Sequence, residues 1–234
     1  MQSPPAEPLT IDLGEGRCVS GLWLRPAEAR AALVLAHGAG AGMTHRSMGT
    51  LAQDLAERDI ATLRYQFPFM EHGSKRPDGP AVAHATVRAA VAAANRLAEE
   101  LPVFAGGRSF GGRMTSQAQA AIPLPGVIGL VFFAFPLHPA GRPSTDRGQH
   151  LFDVQVPMLF LQGTRDALAD LQHLQPLGAE LGDRASLRLL QEADHSFQVL
   201  ARSGRTNAEV RREMLDEVER WSRQVICGLG PHRA

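Results

Sequence analysis

One ten-residue stretch, Phe104-Ala105-Gly106-Gly107-Arg108-Ser109-Phe110-Gly111-Gly112-Arg113, restricts what the chain can fold into more than any other. The apolar run Leu101–Ala105 reads as a buried strand, and Met114–Ala121 reads as a helix. A chain that passes from strand to helix in so short a space forces the residue at the corner into a strained, sparsely populated backbone conformation. Glycines two positions to either side, Gly107 and Gly111, leave no Cβ to collide across the turn. Ser109 would then stand exposed at the C-terminal edge of a sheet, at the positive end of a helix. A glycine turn carrying a serine N-cap is the simpler account of the same pattern. An acid and a histidine following at the ends of later strands would decide against it.

The rest of the chain alternates strands with helices. Leu9–Leu13 and Cys18–Leu24 suggest an antiparallel pair joined through Gly14-Glu15-Gly16. Ala31–Ala36 is continuously apolar, as expected of a strand buried on both faces, and the small-residue loop His37-Gly38-Ala39-Gly40-Ala41-Gly42 follows it. Met48, Leu51, Ala52, Leu55 and Ala56 recur at helical spacing, and Ile60–Arg64 is the next strand. Ala81–Leu101 reads as an alanine-rich helix, Gly126–Ala134 and Pro157–Gln162 as strands, Leu168–Leu177 as a helix and Ser186–Leu190 as the last strand. Val210, Met214, Val218, Trp221 and Val225 mark one face of a terminal helix over Asn207–Ile226. Two irregular segments interrupt the pattern, 65–80 and 135–153; loops of that length in a compact domain are usually functional or disordered.

This alternation predicts an α/β protein with a mostly parallel central sheet of about eight strands, helices on both faces and no large lid domain. The 234 residues suit a single domain over 1–234. With 24 basic and 24 acidic residues, no charge excess favours nucleic acid or an anionic membrane as a partner. Cys18 and Cys227 stand far apart, so neither a structural metal site nor a disulfide framework is expected. The N-terminal residues carry no secretory pattern and no apolar run approaches a membrane span, so a cytoplasmic protein, monomer or homodimer, is the default expectation.

Ser109, Asp166 and His195 each fall just past the end of a strand, the edge at which such sheets bind ligands. A serine hydroxyl is a weak nucleophile at neutral pH and needs a base within hydrogen-bond reach. The base needs a third group that fixes its tautomer and stabilises the imidazolium. Of the histidines that follow both the glycine-flanked serine and a strand-end acid, His195 is the one that itself falls just past a strand end. Asp166 doubles as a candidate N-cap for a helix starting at Ala167, and Asp194 is a rival acid that is too close in sequence to His195 to orient its ring. The N–H of Phe110 and one from the loop after the third strand, Ala39 with Gly40 next, are candidate oxyanion donors. Gly38, Gly40 and Gly42 make neither G-x-G-x-x-G nor a P-loop, which disfavours a nucleotide site. Arg108, a cation at a helix N-terminus, implies an internal ion pair with a carboxylate from a neighbouring loop or, alternatively, a bound anionic substrate group. His37, Tyr65 and His138 complete the candidate pocket.

With these residues in place, the chain resembles the α/β-hydrolase superfamily over nearly its full length, including the order Ser109, Asp166, His195. More narrowly, it is similar to the small, lid-poor branch that includes dienelactone-hydrolase-like proteins, and most of all to the testis-expressed and chromatin-complex-subunit group with its bacterial relatives. The motifs that carry the resemblance are HGAGAGM at 37–43, RYQFPFME at 64–71, GGRSFGG at 106–112, FPLHP at 135–139, LFLQGTRD at 159–166 and ADHSF at 193–197. Dienelactone hydrolases proper use a cysteine nucleophile where this chain has Ser109. The reading that follows is a serine hydrolase, with no metal or organic cofactor, that cleaves a small ester or thioester through an acyl-enzyme. A binding or scaffold protein with little turnover is the alternative, and a peptidase a weaker one.

Overall fold

The computed structural model describes residues 5–228. Eight strands form one sheet: β1 (Glu7–Gly14), β2 (Arg17–Leu24), β3 (Ala31–Ala36), β4 (Ile60–Tyr65), β5 (Val103–Arg108), β6 (Val127–Phe133), β7 (Met158–Gly163) and β8 (Ala185–Leu190). Their order across the sheet is β1-β2-β4-β3-β5-β6-β7-β8. β1 and β2 pair antiparallel, β2 meets β4 antiparallel, and every later pairing is parallel. β5 therefore lies in mid-sheet, between β3 and β6, and its C-terminal end opens among the loops that follow β3, β6 and β7.

Helices cover both faces, which is why all six residues of β3 and of β7 are buried. Against one face pack α3 (Pro80–Ala98), α4 (Phe110–Ala121) and α5 (Leu171–Leu181), with the short α2 (Pro68–Glu71) at the rim. The alanines of α3, among them Ala83, Ala90 and Ala94, let that helix approach the strands closely. On the other face, α1 (Arg46–Ala56) and α6 (Asn207–Gly228) set Met48, Leu51 and Leu55, and Val210, Met214 and Trp221, against Leu33, Leu35, Phe104 and Val131.

Several boundaries differ from the sequence-based reading, for local reasons. β5 does not stop at Ala105 but continues through Gly106, Gly107 and Arg108, and α4 starts at Phe110 instead of Met114. The corner between them is Ser109 alone. α5 starts at Leu171, where Asp170 caps it by accepting the Gln172 N–H at 2.8 Å. The segment 65–80 is largely ordered by its own aromatics: Tyr65, Phe67 and Phe69 are buried in one group with His37 and Phe110. Within 135–153 the chain forms a run of tight helical turns over Asp146–Asp153. Among the described residues, no helix is long and apolar enough to cross a membrane.

Candidate active site

Ser109 has φ +49° and ψ −116°, a conformation that costs about 1–3 kcal/mol for a residue with a side chain. The corner is held because nothing else fits around it. A Cβ on Gly107 would lie 2.4 Å from the Ala36 carbonyl oxygen, and one on Gly111 would lie 2.5 Å from that of His37. The backbone is pinned on both sides of the corner: Ser109 N–H donates to Phe133 O at 3.0 Å, and Arg113 N–H donates to Ser109 O at 3.1 Å. The serine side chain makes no cap bond to α4. Its hydroxyl points instead at His195, with Oγ 2.9 Å from Nε2.

His195 Nδ1 lies 2.7 Å from Asp166 Oδ2. An ionised carboxylate accepts hydrogen bonds only, so Nδ1 carries the proton, and Nε2 is the acceptor that faces the serine hydroxyl. The Asp166 side chain is inaccessible to solvent while that of His195 remains 27% exposed. Gln162 Nε2 also donates to Asp166 Oδ2, and Leu168 N–H donates to Oδ1 at 2.8 Å. The N-cap role expected for Asp166 is thus taken by Asp170, four residues on; the carboxylate of Asp166 closes only a local turn and is otherwise given to the histidine. Two chain segments meet tightly to achieve this. Arg165 N–H donates to Ala193 O at 2.9 Å, and a Cβ on Gly163 would come within 2.3 Å of that same oxygen. Asp194 does not approach the ring; its Oδ1 accepts the N–H groups of Ser196 and Gln198 at 2.7 and 2.9 Å and shapes the loop that carries His195.

Phe110 opens α4, so its N–H is free of an intrahelical acceptor and lies beside the serine. The loop after β3 passes the same spot: a Cβ on Gly38 would be 3.8 Å from Ser109 Cβ, and Ala39 and Gly40 are the next residues of that loop. That loop is braced from behind. His37 Nδ1–H donates to Gly38 O at 2.7 Å, and Nε2 accepts the Phe67 N–H at 3.1 Å. Gln66 Oε1 takes the Met43 N–H at 2.9 Å, and Arg64 Nη1 donates to Met43 O at 3.0 Å. The RYQF run therefore supports the loop from β4, a role that sequence reading missed although the motif sits immediately after a strand end.

Two candidate pocket residues, His37 and Tyr65, are displaced by this arrangement. His37 and Tyr65 are wholly buried, and burial holds the His37 pKa below its ordinary value, so the ring is a neutral brace with both nitrogens engaged. His138 is also enclosed; its Nδ1 faces Pro139 O at 2.9 Å and its Nε2 accepts the Asp170 N–H at 2.8 Å, which ties the FPLHP loop to the start of α5. His37 and Tyr65 read as pocket residues because they lie at strand ends, but folded-back loops cover them; His138, though largely enclosed, lines a cavity of about 520 Å³ together with Asp166 and Asp170.

Arg108 corrects a further expectation. Among the described residues its side chain makes no ion pair or hydrogen bond; Asp194 and Asp166 act on it only through space. Burial pushes its guanidinium below the usual arginine value and those two carboxylates pull it back up. The side chain lies at the edge of a cavity of about 430 Å³ beneath the His195 loop. Among the described residues, no cluster of three or more His, Cys, Asp or Glu is arranged to hold a metal ion.

A mid-sheet strand ending in a strained serine, with a histidine and a buried acid on the two later strand ends, defines a class, the α/β hydrolases. The family described as "Alpha/beta hydrolase domain" matches residues 29–223, and the chain belongs to that family. Solved structures with a similar fold include an alpha-beta serine hydrolase homologue from Coxiella burnetii, at TM-score 0.72 and 19% identity over 91% of this chain and 97% of that one. A lid-less a/b serine hydrolase from Xanthomonas campestris is similar at TM-score 0.72 and 22% identity, covering 93% of this chain and 95% of that one. A dienelactone hydrolase from Anabaena variabilis is similar at TM-score 0.72 and 18% identity, over 92% and 97%. At these identities the likeness is one of fold.

Proposed function

We propose that the protein is a serine hydrolase that cleaves a small ester or thioester through an acyl-enzyme intermediate. The observation that carries this reading is the unbroken hydrogen-bond chain from Asp166 through His195 to Ser109, at 2.7 and 2.9 Å. In the first half-reaction, Ser109 Oγ attacks the acyl carbon as its proton passes to His195 Nε2, and Asp166 stabilises the imidazolium. The N–H groups of Phe110 and Ala39, or of Gly40 in its place, receive the developing oxyanion, each worth about 10²–10³ in rate. The tetrahedral adduct then expels the alcohol or thiol, which takes the proton back from His195. In the second half, His195 removes a proton from water, the hydroxide attacks the acyl-serine, and the acid leaves as Ser109 is reprotonated. The serine hydrolases and esterases among the fold relatives support the reaction class. The motif likeness to the testis-expressed and chromatin-complex-subunit group belongs to the same reading.

Hydrolysis of p-nitrophenyl butyrate tests it. The wild-type protein is expected to turn the ester over, with kcat falling by about 10³-fold or more in His195→Ala. Activity that survives this change would remove His195 from the role of base.

A further inference from the structure

The cavity beside Arg108 is not used by the chemistry above, and its lining is chemically one-sided. It opens between the N-termini of α1 and α6, beneath the loop that carries His195, and it adjoins the reacting pair on both sides: Arg108 directly precedes Ser109, and Ser196 directly follows His195. Its apolar wall is made by Leu51, Phe133 and Met214, while Arg46 and Arg211 stand at its rim. Among the described residues, no acidic side chain lines it. Arg211 is held by Asp54 at 3.1 Å, but Arg108 has no such partner among the described residues. Arg64, buried against Gly49 of α1 but outside the lining of this cavity, donates from Nη1 to Met43 O and leaves Nε without an acceptor. The positive ends of two helices, 11 and 22 residues long, face the same space, and their first residues His45–Ser47 and Asn207–Ala208 help to line it.

A half-buried arginine without a carboxylate is costly to keep unless something else completes it. Its planar fork of donors suits a carboxylate or phosphate, and the surrounding apolar wall suits the short carbon chain that would carry such a group. We propose that this cavity is an anion subsite and that the substrates are small esters or thioesters carrying a second, negatively charged oxyanion group held by Arg108. The proposal rests on the hydrolase reading of Ser109, since the subsite is defined by its position beside that serine.

Two matched esters measure it: p-nitrophenyl butyrate, which is neutral, and the mono-p-nitrophenyl ester of glutaric acid, which carries a free carboxylate. The wild-type protein is expected to prefer the anionic ester by about tenfold or more in kcat/KM, and Arg108→Gln to reduce that preference by a similar factor, chiefly through KM, with Arg108→Lys in between. An unaltered preference in Arg108→Gln, or equal losses on both esters, would overturn the subsite. Binding is read separately in a Ser109→Ala background, where calorimetric titration with glutarate and with inorganic phosphate distinguishes a carboxylate from a phosphate site. Binding of either anion that is lost with Arg108→Gln supports the subsite; absence of both overturns it. A fluorophosphonate adduct on Ser109 reports the hydrolase reading by itself. An adduct without any anion effect would sink the subsite alone, and Arg108-dependent anion binding without an adduct would sink the hydrolase reading alone.

Discussion

The two sides of Ser109 are built on opposite principles. On the side of α3 and α4, the space is filled: Phe67 packs edge to face against the His37 ring with Phe69 tilted beside it, Phe110 stands edge to face against both phenylalanines, and every polar atom of the His37 ring is used within the fold. On the side of α1 and α6, there is a hollow, and the arginine at its edge has no internal partner. The closed side holds the loop of Ala39 and Gly40 and the start of α4 in fixed relation to the serine. The open side leaves room for part of a ligand. Rigidity and access are thus separated at a single residue, the corner of the elbow.

The seam between the two sides is Asp166–His195–Ser109, and breaking it should have the largest effect. Asp166→Asn keeps the shape but gives the histidine a partner that no longer enforces the Nδ1–H tautomer, so kcat is expected to fall by about 10⁴-fold with little change in folding, measured as ester hydrolysis alongside thermal melting. The closed side should fail through stability instead. Phe67→Ala removes a wholly buried ring that touches Tyr65, Phe69 and Phe110, and urea denaturation should show a loss of about 3–5 kcal/mol.

A third effect belongs to the same closed side. His150, next to Phe135 and bonded to Ser116 Oγ at 2.7 Å, has its pKa lowered to about 4, first by burial and then by the nearby Arg113 charge. Its folded pKa lies below its unfolded value, so its neutral form contributes fully to stability above the unfolded pKa. That contribution is lost as the pH falls from about 6.5 toward 4, by up to about 3 kcal/mol. Unfolding free energies at pH 7.5 and 4.5 should show this loss in the wild-type protein and a smaller one in His150→Gln. The smallest expected change in stability is on the open side. Arg108→Gln breaks no ion pair, so its melting temperature should match or exceed that of the wild type, whereas a hidden ion pair would reveal itself as a loss of about 3–5 kcal/mol.

Much of this was legible in the sequence, for identifiable reasons. Gly107, Ser109 and Gly111 mark the corner because only glycine tolerates the backbone of β3 at that distance. Asp166 and His195 could be placed because each follows an apolar run short enough to be a strand. What escaped was set by tertiary packing. Gly106 and Gly107 look like loop residues yet extend β5, since the sheet on both sides presses against their bare Cα atoms. Asp170, not Asp166, starts α5, a choice that depends on Asp166 being pulled toward His195. His37 and Tyr65 lie at strand ends like true site residues, and only the folding of 66–69 over them shows that they are enclosed. Neither the arginine pairing expected at 108 nor its absence can be read from spacing, because the residues around Arg108 come from both ends of the chain.

The central claim is that Ser109 is a nucleophile activated by His195, and a mechanism-based phosphonate tests it most directly. Intact-mass spectrometry after incubation with a fluorophosphonate should show one adduct on the wild-type protein, none on Ser109→Ala, and strongly slowed labelling of His195→Ala. A well-folded wild-type protein that stays unlabelled, or a Ser109→Ala protein that labels at the wild-type rate, would contradict the account.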